Sequence, residues 1–422
     1  MTVPFLRTLQ IEHCQRVIGV VTIKATIEQL RQNQLRKQGL HEEYKADFSA
    51  VAKTQLGLHS TDYWTPYLSA WARIGEYDAE VVFKWLNSGK KILRMNAFRG
   101  ALHVIHQSNY PLILQATSTF HCKRTRDVPP LRTYSDKKVD SILTKVIAAL
   151  EGRPLRMKEI KQQVSDGKDV MRWILLMGMC EGKIVRSFAN HAKNTQSAYA
   201  LAEKWLERYS PPDIDVEDAV NEIIQKHIQH FGPVTVNDVS WWLPTTKTSV
   251  KSIIQELGEQ VTSVEMDGQT YFMDADDLEI ATSLESWSKP YVFFLPYEDH
   301  FAKSFIDRTW FISEESREIL FPSDARNYWP PKCKPPEKID PRVKQSGEKR
   351  PSIWVNGRIV GRWEFEDKKD NVKVAYKVLE KVSKKALSVI EEKRLQLEEF
   401  VRERLVPISK KGAVKDSPEY PR

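Results

Sequence analysis

The sequence predicts an α+β protein: three tandem winged-helix units, each a set of helices closed by a strand hairpin, and then a strand-rich unit. Three observations predict it. Runs with helical apolar spacing lead into a glycine turn and two short apolar strands, and this order recurs three times. The repeat period, roughly 70 to 80 residues, is too long for a solenoid and fits small tandem domains. Pro129-Pro130 and Pro211-Pro212 punctuate the repeats, and after Pro290 strand patterns take over. The expected division is a lead-in over 1–25, units over 26–130, 131–210 and 211–285, a strand-rich unit with a C-terminal helix over 286–407, and a disordered basic tail over 408–422.

Residues 1–23 read either as a short strand over Val17–Val21 or as a poorly ordered lead-in. Thr26-Ile27-Glu28-Gln29 has capping-box form and opens a helix that stops at Gly39. A second helix is expected over Tyr44–Gln55. The loop Leu56–Asp62 feeds a third, with Thr65 as cap, Pro66 at the first helical position, and Tyr67, Leu68, Trp71 and Ile74 on one face. Asp78–Lys91 forms the next helix, and Ile92–Ile105 holds strand residues with Arg94 and Arg99 among them.

In the second unit, helices over Lys137–Leu150, from Gly152 to Ile160, and over Val170–Cys180 precede strands at 184–186 and 197–201, with Trp205 on a closing helix. In the third, Val216–His230, a turn at Phe231–Val234, a short helix over Thr235–Leu243 and a recognition-type helix over Lys247–Leu257 precede a wing hairpin at Val261–Met273. In the last, Tyr291–Pro296 reads as a buried strand and 327–350 as a loop. Ser352–Phe365 reads as a hairpin around Asn356-Gly357, Val372–Tyr376 as a strand, and Ser383–Leu405 as a long amphipathic helix.

Composition bounds the function. The 422 residues are 41% hydrophobic and 28% charged, a soluble balance with material for several cores. No apolar run reaches the length of a membrane span, and Met1–Arg7 lacks the form of a signal peptide. A cytoplasmic, nucleoid-associated monomer without membrane contact is expected. The net charge of +8 and pI near 9.0 suit a polyanionic partner. Cys14, Cys122, Cys180 and Cys333 lie far apart without a CxxC pair, which fits a reducing compartment and gives no zinc framework. His103 and His106 lack an acidic or cysteine neighbour, and no Walker loop is present, so neither a metal nor a small-molecule cofactor is expected.

Candidate chemistry gathers where the loop meets the third helix. His59, Thr61 and Asp62 sit at or just before a helix N-terminus, whose free N–H groups favour negative charge and disfavour a protonated imidazole. The residues alone read either as a reactive site or as a capping loop that carries a histidine.

Five motifs carry a resemblance. Gly57-Leu58-His59-Ser60-Thr61-Asp62 followed by Tyr67-Leu68-Ser69-Ala70-Trp71-Ala72-Arg73 resembles the segment Gly-Leu-Gln-Ala-Gln-Asp … Tyr-Leu-Ala-Leu-Trp-Ala-Arg of the winged-helix DNA glycosylases of the AlkZ and YcaQ type. Arg94–His103 resembles that family's Arg-Thr-x-x-x-Arg-Gly-Thr-Leu-His. Phe231–Asp238 with Trp242, Leu295-Pro296 with Asp299 and Asp307-Arg308, and Val355–Trp363 resemble three further family motifs in the same order. The resemblance runs from about Thr26 to about Leu405. It implies three tandem winged helices closed by a C-terminal β-barrel, with a basic concave surface for double-stranded DNA.

The chain departs from the family at the catalytic position, where His59-Ser60-Thr61 replaces Gln-hydrophobic-Gln or Gln-hydrophobic-Asp. Neutral His59, with an ordinary pKa near 6.5, is expected to take a proton from the attacking water, Thr61 to orient that water, and Asp62 to orient His59 or stabilise the sugar cation. Arg73, Arg94, Arg99, His103, Lys247, Lys251, Arg358 and Arg362 are expected to contact DNA. Tyr63 and Trp64 read as a wedge against the lesion or as core. Two functions fit: a glycosylase for alkylated bases or crosslinks, and a non-catalytic DNA-binding regulator or lesion sensor that lost the glutamines.

Overall fold

The computed structural model describes residues 25–41, 46–88, 91–189, 197–207, 209, 212–266, 268–306, 308–320, 350–368 and 371–410. The expected Val17–Val21 strand, nearly all of the 327–350 loop and the tail beyond Lys410 lie outside them. Local signals place most helices. Thr26 and Gln29 form the expected capping box on the helix Ile27–Lys37. Asp47 caps Phe48–Thr54 by accepting from the Ala50 N–H at 2.7 Å. At the helix Thr65–Ile74 the cap differs from expectation. Thr65 Oγ1 donates to the Tyr297 carbonyl at 2.8 Å instead, and Asp62 Oδ1 accepts from the Trp64 N–H at 2.9 Å.

The strands join units that the sequence presents as separate. Strands β1 (Leu58–His59), β2 (Ile92–Ala97), β3 (Ala101–His106), β4 (Ile184–Ala189) and β5 (Ser197–Leu201) form one sheet in the order β1-β3-β2-β4-β5. The first two hairpins meet through β2 and β4, at Arg94 opposite Arg186. A third hairpin, β6 (Val261–Met266) with β7 (Gln269–Asp274), stands apart after the helices Val216–Phe231, Val236–Trp242 and Lys247–Leu257.

The last sheet runs β11-β10-β9-β8, with β8 Val292–Leu295, β9 Ser352–Val355, β10 Arg358–Lys368 and β11 Asn371–Val378. The turn between β9 and β10 falls at Asn356 and Gly357, both at positive φ, as a two-residue hairpin requires. The expected closed barrel is not seen: among the described residues these four strands form an open sheet. The helix Lys384–Phe400 buries Ile390, Leu397 and Phe400 in one cluster with Phe294, Ile353, Trp363 and Val374. It therefore covers apolar side chains that a barrel would enclose in its own interior. That helix widens into a π-helical turn over Val401–Leu405 and continues as Val406–Lys410, so regular structure passes Pro407, where the tail was expected to begin.

Polar ties cross the chain. Gln29 donates to the carbonyls of Thr282 and Leu284, Gln34 to that of Phe231 and Gln38 to that of His230, which bind the first helix to the third unit. Deeper lies an ion pair. Arg73 donates to both carboxylate oxygens of Asp299, at 3.0 and 3.2 Å, and to the carbonyls of Gln38 and Ser69. Ser69 Oγ donates to the same carboxylate at 2.6 Å. Both charged side chains have 0% exposure, so Arg73 does not present a phosphate contact at the surface.

Arg73→Met leaves Asp299 buried without its countercharge, and is expected to cost about 3–5 kcal/mol in denaturant unfolding. A loss below about 1 kcal/mol would show the pair to be marginal.

The same interior holds imidazoles neutral. Burial pushes His59, His103 and His227 down to about 3, and His121 and His230 to about 4. These folded values lie below the unfolded value of about 6.5, so the unfolded chain takes up more protons as pH falls. Stability that is complete above about pH 6.5 should drop by on the order of 1 kcal/mol per imidazole by about pH 5. Thermal melts at about pH 7.5 and about pH 5 check this, and equal melting temperatures would contradict it.

Candidate active site

A glycine sets the position of His59. Gly57 has φ +117°, and a Cβ there would stand 2.6 Å from Ile105 Cγ2. Without that side chain, β1 lies flat against β3. Leu58 pairs with Val104, His59 pairs with His103, and the Ser60 N–H donates to the Leu102 carbonyl at 2.7 Å. Alternation along the strand then buries Leu58 in the cluster with Tyr67 and Val104 and turns His59 to the other face.

On that face His59 meets groups from distant parts of the chain. Its Nε2 stands 3.7 Å from Glu298 Oε2. Lys303 Nζ lies 2.9 Å from the same oxygen and donates to Glu298 Oε1 at 3.2 Å. His103 packs edge-on to His59 at 5.3 Å between ring centres, with its Nδ1 2.9 Å from the Ala101 carbonyl. That carbonyl accepts only, so Nδ1 carries the proton. Phe98 meets His103 edge-on at 5.1 Å, and Trp242 packs on Phe98 at 3.8 Å.

Burial dominates the electrostatics. His59 is 5% exposed, and its pKa falls to about 3, first from desolvation and then from the Lys303 charge, with Asp299 opposing. The expected base with a pKa near 6.5 is therefore a neutral imidazole with little affinity for a proton at pH 7. Burial likewise lowers Lys303, against the pull of Glu298. Asp62 is half-buried, and its carboxyl is raised by desolvation and held down in part by the Trp64 and Thr65 N–H groups. It faces the helix start, and among the described residues no hydrogen bond joins it to His59. Thr61 is exposed beside them. Tyr63 and Trp64 are half-buried, 4.5 Å apart, with Trp64 edge-on to Tyr67 at 6.1 Å.

The expected DNA contacts separate by burial. Arg73 and His103 lie inside, the first in its ion pair and the second behind His59, so neither reaches a phosphate. Arg94 is 8% exposed, lowered by burial and set beside Tyr67 and Arg186, and it too is interior. The exposed cations are Arg99, Lys247, Lys251 and Arg358, with Arg362 half-buried. Arg99 crowns the turn between β2 and β3, its guanidinium 4.7 Å above the Trp241 ring. Lys247 and Lys251 lie along one exposed face of Lys247–Leu257. Arg358 stands 3.6 Å from Glu380.

Sequence reading missed Glu298 and Lys303. The motif Leu295-Pro296 … Asp299 passes through the first, yet no periodicity marks a loop carboxylate that meets a strand from the opposite end of the chain. Among the described residues no group of three His, Cys, Asp or Glu side chains is placed to hold a metal ion.

A sequence model described as DNA glycosylase AlkZ-like matches residues 53–400, which include His59, Glu298 and Lys303. The fold is similar to that of the Streptomyces sahachiroi DNA glycosylase AlkZ, with a TM-score of 0.70 over 92% of this chain and 98% of that one, at 16% identity. No curated protein matches the sequence. On the family match over most of its length, the chain belongs to the AlkZ-like DNA glycosylase family.

Proposed function

We propose that the protein is a DNA glycosylase that hydrolyses the N-glycosidic bond of alkylated bases or interstrand crosslinks in duplex DNA. One observation carries the reading. In a chain of this family, the residue at the position of the first catalytic glutamine is a histidine held on a shielded strand, 3.7 Å from a carboxylate. A histidine kept only as packing would gain nothing from an acidic neighbour in a dry setting.

The chemistry is modest in its demands. A base alkylated at N3 or N7 already carries positive charge and leaves readily. The protein must seat a water on the far face of the sugar and stabilise the sugar cation as it forms. Neutral His59 holds that water by a hydrogen bond, and Thr61, exposed beside it, orients it. Asp62 fixes the start of the helix Thr65–Ile74 and adds negative potential near the sugar. Tyr63 and Trp64 stack at the lesion.

Double-stranded DNA then lies across the three helix-and-hairpin units, 26–130, 131–210 and 211–285, each acting as a winged helix and presented by a monomer in the cytoplasm near the nucleoid. Lys247 and Lys251 contact phosphates from the third unit, Arg99 from the first hairpin, and Arg358 and Arg362 from the last sheet. A non-catalytic DNA-binding protein is the second reading, favoured by the weak basicity of His59.

Alkali-induced strand cleavage of DNA carrying N7-methylguanine or a nitrogen-mustard crosslink tests the choice. Wild type should make abasic sites, and His59→Ala should slow release at least about 100-fold. Salt-sensitive binding with no abasic sites on either substrate would favour the second reading.

DNA affinity should also map the exposed cations. Lys247→Ala, Lys251→Ala and Arg99→Ala should each weaken binding regardless of sequence and reduce the slope of log affinity against log salt by about 1. Unchanged slopes would place the duplex elsewhere.

A further inference from the structure

We propose that Glu298 is the catalytic carboxylate of this site, the group that takes the proton of the attacking water, with Lys303 as its positioning residue. The inference rests on the glycosylase reading and names a residue that the family's glutamine motif does not contain.

The geometry favours a water shared by two groups. At 3.7 Å, His59 Nε2 and Glu298 Oε2 are too far apart for a hydrogen bond with each other. They are close enough for one water to sit about 2.8 Å from both. His59 Nδ1 is buried with no hydrogen-bond partner among the described residues, and Nε2 is the nitrogen that faces Glu298. Of the two partners, the imidazole stays neutral and holds a proton poorly, whereas the carboxylate carries the charge that draws one.

Backbone conformation adds a second observation. Glu298 adopts φ +54°, in the left-handed region that a long side chain rarely enters. Such a conformation persists where the surroundings over-determine it, and it is common at reactive positions. Here it lets two adjacent acids diverge. Asp299 turns inward to Arg73 and Ser69, while Glu298 meets His59 and Lys303. Among the described residues, His59, His103 and Lys303 face Glu298, Asp299 adjoins it in the chain, and Arg99 and Arg308 lie beyond Lys303.

The step balances. A water O–H bond breaks and its proton passes to the Glu298 carboxylate. The water oxygen bonds to the sugar C1′, the C1′–N bond breaks, and its electron pair leaves with the alkylated base, which becomes neutral. Glu298 then returns the proton to solvent.

The test is single-turnover release of 7-methylguanine from duplex DNA, corrected for spontaneous release, together with DNA affinity and thermal melting. Glu298→Gln preserves shape and the contact with Lys303. It should slow release at least about 100-fold and leave DNA affinity within about threefold. If the glutamine variant unfolds at the assay temperature, Glu298→Asp serves. It keeps the charge but withdraws it by one methylene, and should slow release at least about tenfold. Release within about threefold of wild type in the folded variant overturns the inference and leaves the glycosylase reading intact. No release by wild type overturns both.

Discussion

The buried pair of Arg73 and Asp299 is the constraint on which the site depends. It ties the helix after the Leu56–Asp62 loop to the segment after β8, and it does so with bidentate geometry and no exposure. A charge pair so placed is costly to desolvate and more costly to break. Its value here is positional. Once Asp299 is held by Arg73 and Ser69, the residue before it has few places to go, and Glu298 is delivered to His59. The Thr65 hydroxyl reinforces this by bonding the Tyr297 carbonyl one residue earlier. The two walls of the site are thus joined by three consecutive residues of one segment.

Dryness then sets the electrostatic character of the candidate site. A histidine in water is a base at neutral pH, but His59 is pressed between His103 and the segment that carries Glu298 and Lys303, and burial takes its proton affinity away. What remains is a rigid hydrogen-bonding group, which is what a glutamine offers in relatives with the family's motif. The substitution at this position is less drastic in chemistry than in name. The charge that a neutral group cannot supply stands opposite, on Glu298, balanced by a lysine that is itself partly deprived of water.

The shared five-stranded sheet has a mechanical consequence. With β2 and β4 paired at Arg94 and Arg186, the hairpins of the first two units cannot swing independently. The short β1 hangs on the edge of that sheet, so the position of His59 follows the sheet rather than a loose loop. A two-residue strand is weak alone. It is held here because Gly57 removes the side chain that would collide with Ile105.

By itself the sequence determined what depends on near neighbours. The cap at Thr26, the hairpin at Asn356-Gly357, the helical periods and the ordered run of motifs are set by residues within a few positions of one another, and those signals survive without knowledge of the fold. Burial is not such a property. Arg73, Arg94 and Arg99 look alike as residues in a basic protein. Only tertiary structure sends Arg73 to an acid 226 residues away, buries Arg94 within a sheet and leaves Arg99 at a turn. The same holds for His59, whose ordinary pKa is a sequence property and whose actual one is not, and for Glu298, which becomes a candidate only because the chain returns from its far end. Electrostatic character depends on which charges and how much water surround a group, and long-range packing decides both.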